Sequence, residues 1–116
     1  MTTATVFAPA NGTFAVERGY LLNGKDNDLT NATPEFSVGY WVGVTNFTVD
    51  SELGFDMAVE LLIEQGHKQI GIWTSGDKIY VDGVLHIIDL IGAIKIARAN
   101  NQQAIWDIAH NTEIWV

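Results

Sequence analysis

The sequence predicts an α+β fold in one domain: an antiparallel sheet of hairpins with two helices on one face. Three observations carry this expectation. The chain has 116 residues, 47% of them apolar, and no cysteine, so one core can form without disulfide staples. Short β-branched and aromatic runs are bounded by polar turns such as Thr74-Ser75-Gly76-Asp77 and His110-Asn111-Thr112, which marks hairpins. The chain also repeats itself with a period of about 33 residues.

The repeat sets the order of elements. Phe55-Asp56-Met57 through Ile72-Trp73 aligns without a gap with Ile88-Asp89-Leu90 through Ile105-Trp106, and Asp56/Asp89, Ile63/Ile96, Gln69/Gln102, Ile72/Ile105 and Trp73/Trp106 are identical pairs. One step earlier, Tyr40-Trp41 and Phe47-Thr48-Val49-Asp50 align with Ile72-Trp73 and Ile79-Tyr80-Val81-Asp82. Residues 40–116 therefore read as hairpin, helix, hairpin, helix, hairpin.

Each element has a local reason. Residues 1–36 stand outside the repeat: Thr5-Val6-Phe7 and Thr13-Phe14-Ala15-Val16 read as strands around Pro9-Ala10-Asn11-Gly12, and Asn23 to Pro34 as a polar loop. This segment is expected to cover the sheet. The first helix is expected at about 57–65, because Phe55, Ala58, Val59 and Leu62 recur at helical spacing and Gly66 suits a left-handed C-terminal position. Asp56 is preferred over Ser51 as its N-cap, since the repeat reproduces it at Asp89. The second helix is expected at about 90–99, from Asp89 to Asn100-Asn101. Period-two alternation turns Phe47, Val49, Ile79, Val81, Ile114 and Val116 toward the helices, and Thr48, Tyr80, Trp115, Trp73 and Trp106 to the opposite side.

Composition then narrows function. Fourteen acidic against six basic residues give a net charge of −8, which lacks the cationic footprint of a direct nucleic-acid binder and favours a basic partner. No apolar stretch is long enough to span a bilayer, and Met1-Thr2-Thr3-Ala4 has no signal-peptide character, so an intracellular, cytoplasmic protein without a membrane role is expected. His67, His86 and His110 form no metal-ligand spacing, and no serine sits in a nucleophile elbow. The expectation is a protein that is not an enzyme and has no metal or cofactor. Asn11-Gly12-Thr13, Asn31-Ala32-Thr33 and Asn46-Phe47-Thr48 match a glycosylation acceptor but read as loops and turns.

Three surfaces carry candidate functions. Glu52, Asp56, Glu60 and Glu64 recur every four residues, which on a helix spaces carboxylates about 6 Å apart along one side. Glu60 and Glu64 align with Ala93 and Ala97, so the scaffold does not require their charge. The leading expectation is that Glu52, Glu60 and Glu64 bind and block a basic surface of a partner protein, with the row of charge a decoy for nucleic-acid phosphates. The analogy is to small acidic inhibitors of phages and mobile elements. The second expectation is a planar ligand or sugar stacked on Trp73, Tyr80, Trp106 and Trp115. The third is a homodimer through Ile91, Ala93, Ile94 and Ala97, because the second helix is apolar on most sides and small residues four apart admit a close neighbour.

Overall fold

A computed structural model describes residues 9, 11–16 and 34–116; the expected strand Thr5-Val6-Phe7 and the expected loop before Pro34 lie outside them. The described residues form β1 (Gly12–Ala15), β2 (Tyr40–Gly43), β3 (Phe47–Val49), α1 (Glu52–Glu64), β4 (Gln69–Ser75), β5 (Lys78–Ile87), α2 (Leu90–Ala99), β6 (Ala104–Asp107) and β7 (Thr112–Trp115). The fold is α+β. Its seven strands make one antiparallel sheet in the order β1-β4-β5-β2-β6-β7, with β3 also on β5.

The hairpins β4–β5 and β6–β7 form where the polar turns placed them. The first strand pair is different. Tyr40–Gly43 pairs with Ile87–Val84 and Phe47–Val49 with Val81–Ile79, so β2 and β3 both lie along β5 and not on each other. Residues 44–46 oppose only Asp82 and Gly83, so one extra residue bulges out and bends the strand. Val44 N donates to Gly83 O at 2.9 Å and Gly83 N to Thr45 Oγ1 at 2.9 Å, which holds the bulge to β5. Gln102 Nε2 donates to Thr45 O and to Asn46 Oδ1, both at 3.0 Å, and ties it to the α2–β6 loop.

Helix α1 begins a turn earlier than the repeat implies. Ser51 is the cap, its Oγ accepting from Gly54 N at 3.0 Å, and Asp56 falls inside the helix. A local hydroxyl one turn upstream satisfies the first free N–H groups, so the helix extends to meet it. Helix α2 has the expected bounds: Asp89 Oδ2 accepts from Gly92 N at 2.7 Å, and Asn101 takes a left-handed φ of 57° just past the end.

Both helices pack on one sheet face, over separate cores. Under α1, Phe55, Val59 and Leu62 meet Ile70, Ile72, Ile79 and Val81, with Phe14 of β1 completing the cluster. Under α2, Ala93 and Ala97 meet Val42 and Ile105. Ala93 and Ala97 are 0% exposed, which corrects their assignment to an interface between copies: their small size lets α2 approach its own sheet. Phe47, Val49, Ile114 and Val116 also pack toward the helices, on the side the alternation gave them. Of the segment expected to cover the opposite face, residues 12–15 pair with β4 at the end of the sheet among the described residues, and residues 1–8, 10 and 17–33 lie outside the described ones.

Positions aligned by the repeat share surroundings in the strands but not in the helices. Ile72 and Ile105 are both buried, and Trp73 and Trp106 are both exposed on the face away from the helices. Glu60 and Ala93 differ, as do the buried Ala58 and the exposed Ile91, because the two helices dock by different sides.

Candidate functional site

Helix α1 turns Phe55, Ala58, Val59 and Leu62 to the core, which leaves Met57 and Leu61 at its outer edge, above β3. Between the helix and β3 runs an open groove of about 500 Å³. Its walls include Phe47 and Val49 from the strand and Met57 and Leu61 from the helix, and Glu60 and Glu64 also line it. Met57 is 56% and Leu61 40% exposed, so the groove is an apolar surface open to solvent. The Oε2 atom of the half-buried Glu60 is shielded from solvent and has no hydrogen-bond partner among the described residues. A shielded carboxylate oxygen without a donor is costly, and a cation or N–H that reaches it relieves that cost.

Of the three acidic residues expected to act together, the structure brings Glu60 and Glu64 to this groove and leaves Glu52 outside it. Glu52 stands exposed in the first turn of α1, where a negative charge complements the helix N-terminus. The strand half of the groove, Phe47 and Val49, was invisible in the sequence as a site, because only pairing with β5 brings it beside α1.

The sheet face away from the helices carries the aromatics in two groups. Trp73 and Tyr80 are register partners whose rings stack at 5.3 Å and 30°. At the other end Phe36 stacks on His86 at 3.9 Å, and Trp41 meets both edge-on, with Trp106 as its register partner on β6. Trp73 is 59%, Trp106 38% and Trp115 72% exposed. Trp73 and Tyr80 are thus brought together, and Trp106 and Trp115 lie across β5 and β2 on the far strands.

On this same face Asp82 points into the bulge. Burial pushes its carboxyl up to about 7, against the lowering effect of a hydrogen bond from the Phe47 backbone. Sequence reasoning passed over it; the available signal was one acidic residue among the mostly apolar residues Ile79 to Ile87.

The histidines stand apart and each is engaged locally. His110 Nδ1 lies 2.8 Å from Asp107 Oδ2 within the β6–β7 turn, and His86 Nε2 lies 2.7 Å from Val38 O. The His67 ring lies over Gly83, filling the space a side chain there would take. Among the described residues no group of three or more His, Cys, Asp or Glu could hold a metal ion, and no helix is long and apolar enough to cross a membrane. Asn11 Oδ1 accepts from Thr74 N and Oγ1 at 3.0 Å, and Asn46 Nδ2 donates to Asn100 O at 3.2 Å, so both asparagines serve local contacts; Asn31 lies outside the described residues.

Against known proteins, no family model, no curated protein and no solved structure matches this chain.

Proposed function

We propose that this chain is a non-enzymatic interaction protein that captures a basic segment of a partner protein in the groove between α1 and β3 and so blocks that segment. The observation that carries the reading is Glu60: it lines an apolar groove together with Glu64, and one of its carboxylate oxygens is shielded from solvent without a donor among the described residues. The net charge of −8 supports it at longer range by steering cationic partners toward the chain. Recognition in a groove replaces the picture of an extended phosphate decoy, since Glu60 is half-buried and Glu52 stands outside.

The test replaces Glu60 and Glu64 together by Gln and measures capture of a photo-crosslinked partner from position 57 at about 50 mM and about 500 mM salt. Charge-led binding weakens steeply with salt in the natural chain, and the double variant binds weakly with a flat salt response. Equal capture by the two proteins at both salts ends this reading.

A second reading rests on a different observation, the stacked Trp73 and Tyr80, which present a flat aromatic platform for a sugar or planar ligand. It differs by its indifference to salt. The exposed Ile91 of α2 and Ile88 just before its cap, with the half-buried Ile94, support association of two copies on the opposite helix from the groove.

A further inference from the structure

We infer that the partner segment binds as an added β-strand along the edge of β3 that no described strand pairs, with an apolar residue and, two positions on, a lysine or arginine turned under α1. This rests on the groove reading above and adds the manner of recognition and the sequence pattern recognised.

Strand β3 pairs with β5 along one edge, and among the described residues no strand pairs with the other. An unpaired edge offers backbone N–H and C=O groups to any extended chain. Elsewhere the sheet continues past β5: β2 is followed by β6 and β7. The bulge at 44–46 bends β3 away from that continuation, and the Gln102 and Asn46 contacts fix the bend. At the far end Ser51 closes the edge by starting α1. The vacancy is therefore bounded and short, matching the three residues of β3.

The groove lies on the helix side of this vacant place, so it would receive alternate side chains of an added strand. One of them meets Met57 and Leu61, which are exposed without such a strand. The next on the same side reaches Glu60 and Glu64, where a lysine or arginine side chain brings both a donor and the opposite charge. The intervening residue lies beside Thr48 on the opposite face and is free to vary. A second copy of this chain is a poor occupant. Its own β3 carries no basic residue, and a two-fold pairing of β3 edges brings Glu60 and Glu64 toward their own copies.

The experiment uses a capped peptide, Thr-Val-Thr-Lys-Thr-Lys-Thr, whose valine and lysines share one strand face, and follows amide shifts of the isotope-labelled full chain. Two further peptides carry backbone N-methyl groups, either on the valine and lysines or on the inner threonines, and so block one strand edge each. The expected result is shifts at Phe47 to Val49 and Met57 to Glu64, with one N-methyl set losing at least tenfold in affinity and the other staying within about twofold. Glu60→Gln with Glu64→Gln should weaken the unmodified peptide by about tenfold. If both methylated peptides bind as the parent does while the Glu variants still weaken it, strand addition is overturned and the basic-partner reading stands. If the parent produces no shifts in the groove, or binds the Gln variants equally, both are overturned.

Discussion

The Asp82 carboxyl accepts the backbone N–H of Phe47 at the point where β2 gives way to β3. The bulge that places β3 beside α1 thus has a half-buried acid beside it, on the opposite sheet face. That contact has a pH signature. The Asp82 carboxyl titrates near 7 in the folded chain against an ordinary 3.8, so the folded state keeps a proton that the unfolded chain gives up. Its contribution to stability is fully present below about pH 4, falls as pH rises toward 7, and changes no further above that. Asp82→Asn keeps an acceptor for Phe47 and removes the ionisation. The variant should match the natural chain near pH 4 and exceed it near pH 8, read from urea midpoints across that range. A difference that stays flat with pH would show that Asp82 is ionised in the fold.

His67 and Gly83 form a second coupled pair. A Cβ at residue 83 would fall into the His67 ring, so Gly83→Ala should destabilise the fold by about 1–3 kcal/mol through overpacking. Adding His67→Ala removes the obstacle, and the double variant should recover most of the loss in thermal or urea melts. Independent, additive effects would contradict the contact.

Trp73→Ala and Trp106→Ala are expected to leave a folded protein, the first costing about 1 kcal/mol or less at 59% exposure and the second, at 38%, about 1–3 kcal/mol. Leu62→Ala, in the α1 core at 0% exposure, should cost about 2–5 kcal/mol in the same assay. Near-unfolding of the tryptophan variants would mean that the aromatic face is closed in solution.

For two copies meeting on α2, Ile91 is the position to change, since it is 64% exposed where Ala93 and Ala97 are enclosed. Ile91→Glu should convert a dimer to a monomer by light scattering while leaving the far-UV spectrum unchanged. A natural chain that is monomeric at micromolar concentration removes the dimer from consideration.

Features governed by neighbours in sequence were legible in advance. Asp89 and Asn101 bound α2 by short-range caps, and the turn at Thr74 to Asp77 dictates the long hairpin. Features governed by distant strands were not. Gly43 to Asn46 has the composition of a hairpin turn, and it becomes a bulge because the ten residues of β5 are long enough to receive both flanking segments. The repeat misled at Asp56, which aligns with the cap Asp89 although Ser51 caps α1. Alanines four apart signal a close approach without naming the neighbour, and for Ala93 and Ala97 it is the sheet. At the candidate site Glu60 and Glu64 could be singled out by their departure from the repeat, while Phe47 and Val49 needed the fold.

The two cores share no residue, and β5 alone spans both, serving β3 through Ile79 to Val81 and β2 through Val84 to Ile87. Such a partition is expected to let one helix and its strands open in hydrogen exchange while the other stays closed. The groove belongs wholly to the α1 unit. Substitutions under α2 are therefore expected to leave the lining of the groove as it is, so the two surfaces can diverge independently.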